Sequence, residues 1–282
     1  MRWERGRRSK NVDDRRGQKV KRSAGIGGGA IIMALVAIFL LNKDPATVMQ
    51  EMGQGQSSGS TSTGQIQQSA QEQQVSDFVS VVLADTEDVW DKVFANSGQR
   101  YPRPVLVLYR DSVETACGLG RAASGPFYCP GDRQLYLDLS FLEQLQKMGA
   151  GGDFALAYVV AHEVGHHVQT VTGVSDQIRT AQSRAGSKAA SNQIQVRMEL
   201  QADCYAGMWA RQAHEQRQIL EEGDIEEGLR AAASVGDDHI QKMAGRRVVK
   251  EAFTHGSSEE RMYWFKRGLE SGDVGSCDTF SG

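Results

Sequence analysis

The sequence predicts an α+β body behind a single N-terminal transmembrane helix. Two observations predict the body: short β-rich runs come first, between residues 104 and 139, and long helical patterns follow from residue 153 onward. A third predicts the anchor. Residues 24–41 (AGIGGGAIIMALVAIFLL) carry no charge, and at helical rise they cover about 27 Å, close to the hydrocarbon thickness of a bilayer.

The anchor assignment rests on its flanks. Residues 1–23 hold ten Arg or Lys against Glu4, Asp13 and Asp14, a local +7 that leaves −10 for the rest of a chain whose net charge is −3. The following LLNKDPATVM offers no good small-x-small cleavage site, so 24–42 reads as a signal-anchor rather than a removed leader. The positive-inside rule then makes 1–23 a basic cytoplasmic tip and places everything after Lys43 outside the cytoplasm. No basic stripe occurs elsewhere, so nucleic acid is not an expected partner. Residues 43–74 are dominated by Gln, Ser, Gly and Thr, a composition that cannot offset chain entropy by burial, and they read as a flexible tether.

The body is expected over 75–282. Phe78, Val82, Trp90 and Phe94 recur at helical spacing after Val75. Pro104–Tyr109, Gly125–Cys129 and Gln134–Leu139 read as strands, the last two joined into a hairpin by the Pro130-Gly131-Asp132 turn. Asp153 is the expected N-cap of a long apolar helix ending before Gly173, with further helices over 191–220 and 225–243. Ser257 with Glu260 forms a capping box for a last helix through Gly268.

Inside the apolar helix stands His162-Glu163-Val164-Gly165-His166. Histidines four apart project from one helix face and can share one tetrahedral zinc ion. Glu163 lies about 100° round the helix, poorly placed as a ligand but able to reach an activated water as general base. Gly165 keeps that side uncrowded, and His167 falls off the ligand face. A catalytic zinc needs a third protein ligand, and Glu199, thirty-three residues beyond His166 on the next long helix, is the candidate. Asp203, again four residues on, is placed to receive the free ring N–H of a ligand histidine.

HEVGHHVQ followed by ELQADCYAGMWA resembles the neutral zinc metallopeptidase family of the YpfJ type, among the zincins with a glutamate third ligand. MRWERGRRSKNVDDRRG, GPFYCPGDRQLYLDLSFL and THGSSEERMYWFKRGL carry the same resemblance, which spans most of the chain outside the tether. It implies a zincin-like domain, Zn2+ held by His162, His166 and Glu199, and Glu163 as catalytic acid/base.

His255, in a Gly-containing loop before the capped helix, is the expected donor to the oxyanion, with Arg261 and Tyr263 behind it. His214 and His239 lie among polar helix residues and read as solvent-facing. The strand 134–139 is expected to line the cleft and pair with an extended substrate. An extracytoplasmic body permits disulfides, and Cys117–Cys129 and Cys204–Cys277 are the expected pairs. These observations favour a membrane-anchored zinc endopeptidase acting on extracytoplasmic proteins or peptides. The competing class is a scaffold that keeps zinc and cleaves nothing, and the presence of Glu163 argues against it, since a purely structural site does not require that residue. Oligomeric state is not legible.

Overall fold

A four-stranded sheet forms from β1 (Val12–Asp14), β2 (Val105–Tyr109), β5 (Phe127–Cys129) and β6 (Gln134–Asp138), in the order β1-β2-β6-β5, with β2 and β6 almost wholly buried. The computed structural model describes residues 1–18, 69–122 and 125–281. β1, β2 and β6 run parallel, and β5 pairs antiparallel with β6 through Phe127↔Tyr136 and Cys129↔Gln134. A separate hairpin, β3 (Ser112–Thr115) with β4 (Gly118–Arg121), is joined to β5 by the Cys117–Cys129 disulfide.

Eight α-helices complete the described residues: α1 (Ala70–Asn96), α2 (Phe141–Lys147), α3 (Asp153–Val171), α4 (Val174–Ser183), α5 (Lys188–Arg217), α6 (Asp224–Ser234), α7 (Asp237–Met243) and α8 (Ser258–Ser271). α3 is apolar on nearly every face, the pattern of a helix enclosed by neighbours. Phe154, Leu156, Tyr158, Val164 and Val168 are buried in the main core with Trp90 of α1 and Trp209 of α5. α5 and α8 cross closely because each offers a glycine. A Cβ at Gly207 would run into the Phe265 carbonyl, and one at Gly268 into the Cys204 carbonyl.

Several expectations change. Residues 1–18 are not a separate tip. They belong to one compact unit with the body, where β1 joins the sheet and buried Glu87 of α1 accepts hydrogen bonds from Ser9 and Asn11 and pairs with Arg7. The Met1 ammonium lies 2.9 Å from Asp153 and 3.2 Å from Asp224, at the starts of α3 and α6. Charge density hid β1, whose three residues gain strand identity only from their partner β2. The anchor expected at 24–42, and the tether as far as residue 68, lie outside the described residues. Among the described residues no helix is long and apolar enough to cross a membrane.

The first helix begins at Ala70 rather than Val75, because Ser69 and Glu72 form a capping box. Gly152, not Asp153, is the N-cap of α3. The 174–183 stretch forms α4. The helix expected over 225–243 is two helices, broken where Gly236 presses against Ser258 and has no room for a Cβ. β6 is interior to the sheet, and the edge strands are β1 and β5.

Candidate metal centre

α3 contributes His162 and His166, and α5 contributes Glu199. The helices can meet here because Gly165 faces Ala202, where a Cβ would lie only 3.1 Å from the Ala202 Cα. The glycine therefore serves the helix crossing rather than the space beside an ion. His162 Nε2 stands 3.3 Å from Glu199 Oε2, and His166 Nε2 stands 3.4 Å from the same oxygen. Donors bound at about 2.0–2.1 Å around a tetrahedral ion stand about 3.3 Å apart, which both histidine–glutamate spacings match. Two imidazoles and one carboxylate are also a donor set zinc uses in hydrolytic sites.

The opposite ring nitrogens are held, which directs both Nε2 atoms inward. His162 Nδ1 lies 2.8 Å from Asp203 Oδ1. Arg261 of α8 closes on the same carboxylate with Nε and Nη2, each at 2.8 Å, and the Tyr158 hydroxyl donates to it as well. His166 Nδ1 lies 2.9 Å from Gln169 Oε1, an uncharged partner. Burial alone would lower the pKa of His162, but the Asp203 carboxylate beside it, together with Glu199, raises it to about 9. Burial likewise opposes ionisation of Glu199 and Asp203. The two imidazoles hold Glu199 well below the usual carboxylate range, and Arg261 with His162 brings Asp203 down to about 2.

Glu163 is half-buried on α3, and its charge reaches His166. His255 sits on an exposed loop fixed by Asp237, whose Oδ2 accepts the backbone N–H groups of Thr254, His255 and Gly256 at 2.6, 2.6 and 3.1 Å. Its Nδ1 lies 3.3 Å from Asp237 Oδ1. Asp237, and more remotely Glu199, raises the His255 pKa. Gly256 rests against Val196 and Leu200 of α5, which sets this loop beside the Glu199 turn.

Arg261 cannot serve the oxyanion, because it is buried and committed to Asp203. Tyr263 is on the surface beside Arg267. His167 is structural. Burial lowers its pKa to about 4, and the neutral ring lies between Tyr128 and the Pro102 carbonyl. His214 accepts the Leu220 N–H past the end of α5 rather than facing solvent, and His239 is half-buried. Both expected disulfides are present. A second acidic group, Asp153, Asp224 and Glu227, already has the Met1 ammonium at its first two members.

Tyr158, Gln169, Gln201 and the clamping role of Arg261 were not foreseen. Tyr158 precedes His162 by four residues and Gln169 follows His166 by three, so helix periodicity held a signal for those two. A cleft of about 230 Å3 opens beside the ligands, lined by Tyr128, His166, Ile178, Met198 and Glu199 among others.

A buried histidine, a half-buried one and a buried glutamate brought together on crossed helices define a zinc metallopeptidase class of site. The model of the family described as "Putative neutral zinc metallopeptidase" matches residues 1–280, and the chain belongs to that family. Zinc is the family's metal. The chain is 43% identical over 292 residues to the Escherichia coli K12 protein called "Uncharacterized protein YpfJ", covering 99% of each. It is also 43% identical over 216 residues to "Uncharacterized protein Rv2575" of Mycobacterium tuberculosis H37Rv, covering 72% of this chain and 71% of that one. No solved structure matches the chain significantly.

Proposed function

We propose that this protein is a membrane-associated zinc endopeptidase in which Glu163 is the general base. The observation carrying this reading is the preset His162–His166–Glu199 triad with a half-buried carboxylate, Glu163, on the same helix turn as its first histidine. When bound, zinc supplies Lewis acidity that acidifies a water and polarises a peptide carbonyl. Glu163 takes the water proton as the oxygen adds to the carbonyl carbon, then delivers it to the leaving nitrogen as the C–N bond breaks. His255, whose pKa is raised by its hydrogen bond to Asp237, donates to the developing oxyanion. An extended substrate adds to the free edge of β5, next to Tyr128 and the cleft.

Two disulfides support an extracytoplasmic body. In this reading residues 1–18, which pair with β2 through β1, lie on the same side as the body. Labelling of cysteines introduced at Arg5 and at Lys266 in intact cells tests this. Equal reactivity supports it, and opposite reactivity excludes it.

The test of activity is metal analysis with hydrolysis of a broad peptide library. Glu163→Gln is expected to keep zinc and lose about 10²–10⁴-fold in rate, while Glu199→Ala loses zinc. A zinc-loaded wild type that cleaves no peptide would favour the scaffold reading.

A further inference from the structure

We propose that Gln169 and Gln201 are positioning residues which fix the His166 tautomer and tie it to the C-terminal tail at Cys277. The proposal rests on His166 being a zinc ligand and concerns what prepares it. Gln169 is fully buried and Gln201 nearly so. Gln169 Nε2 donates to the Met198 carbonyl at 2.7 Å and to Gln201 Oε1 at 3.0 Å. Gln201 Nε2 donates in turn to the Cys277 carbonyl at 3.2 Å.

The direction of this chain is set from its far end. A backbone carbonyl only accepts, so Cys277 requires the NH2 group of Gln201 and turns its oxygen toward Gln169. Gln169 faces two acceptors, Met198 and Gln201, and must present its NH2 to them and its oxygen to His166. His166 Nδ1 therefore carries the proton, and the Nε2 lone pair is left for the ion. A reversed Gln169 amide would offer N–H to Nδ1 and move the ring proton to Nε2, which blocks coordination.

The tail that holds the far end is itself fastened to α5. Cys277 is bonded to Cys204, and the Thr279 hydroxyl donates to the Arg197 carbonyl at 2.6 Å. Residues 197, 201 and 204 recur along one stripe of α5, so the tail is joined to the same helix that carries Glu199 and Asp203. Removing the disulfide frees the Cys277 carbonyl, and Gln201 loses its orientation. Met198 continues to hold Gln169, which makes the loss at this end smaller.

Zinc affinity of the full-length protein in detergent, measured by competition with a chromophoric chelator, tests the relay without recourse to activity. Gln169→Leu is expected to weaken zinc by about 10–100-fold. Gln169→Glu keeps an acceptor against Nδ1 but sets its other carboxylate oxygen against Met198 and Gln201, and is expected to bind zinc about threefold or more tighter than Gln169→Leu while falling short of wild type. Gln201→Leu and the Cys204→Ser/Cys277→Ser pair are expected to lose about 3–10-fold. Thermal unfolding of each metal-free variant separates these losses from misfolding. A folded Gln169→Leu protein with wild-type affinity would overturn the proposal, as would equal losses in the Leu and Glu variants. Unchanged affinity without the disulfide would sever the tail from the relay. Failure of the wild type to bind zinc would instead sink the metal-site reading.

Discussion

The two histidines of the metal centre stand on the same helix, one turn apart, yet their supports differ in kind. Behind His162 lies an ionic cluster in which Asp203 accepts from His162, Tyr158 and Arg261, and all four are buried. Behind His166 lies a run of uncharged amides ending on a main-chain carbonyl. A buried charge is costly unless matched, so the first cluster ties the metal site to the packing of α3, α5 and α8. Neutral amides carry no such cost, and the second support can set a ring's tautomer with little effect on the fold. One flank thus couples metal binding to global stability, while the other acts locally.

The largest expected effect comes from removing the cation. Arg261→Met leaves Asp203 buried with only His162 and Tyr158 against it, and should cost about 3–5 kcal/mol in urea unfolding of the metal-free protein. A loss below about 1 kcal/mol would show that Asp203 does not depend on that pairing. Asp203→Asn keeps the shape and removes the charge behind His162, and zinc affinity should fall about 10–100-fold.

Next in size is the pH response. In the metal-free protein His162 is raised to about 9, above its ordinary value, so it holds a proton that zinc must displace. The stability this proton brings is present at low pH and lost as pH rises through about 9. Zinc affinity should run the other way, increasing about tenfold per pH unit through neutrality. A flat affinity between pH 6 and 8 would contradict the shift. Asp203 is lowered to about 2, so its contribution is complete above its unfolded value and is lost as pH falls through about 2. Asp203→Asn should flatten that acid limb. The smallest effect falls on the neutral flank, where Gln169→Leu should change unfolding free energy by only about 1–2 kcal/mol.

Much of the site was legible because helical periodicity is local. His162 with His166, and Glu199 with Asp203, are each four apart, and a helix brings such pairs to one face whatever surrounds it. The capping box at Ser257 and Glu260 was readable for the same reason. Arg261 was misjudged because its role depends on α8 crossing α5 at Gly207 and Gly268, and it meets Asp203 across 58 residues. β6, expected to pair with substrate, lies inside the sheet because strand order is not a local property. β1 was read as a charged tip because three residues cannot declare a strand without the neighbour that pairs with them.

The amino-acid sequence by itself determined the α+β body, the candidate metal-binding group His162, His166 and Glu199, with Glu163 beside its first histidine, and the two cysteine pairs. Each of these follows from short-range geometry, or in the case of Glu199 and the cysteines from a small choice of partners. Only the tertiary structure decided that residues 1–18 complete the sheet, that β5 rather than β6 is an edge strand, and that His162 is backed by an ion pair while His166 is backed by amides. Those features depend on which distant segments pack together. Packing is set by the summed shape and charge of whole elements, which no short window of sequence contains.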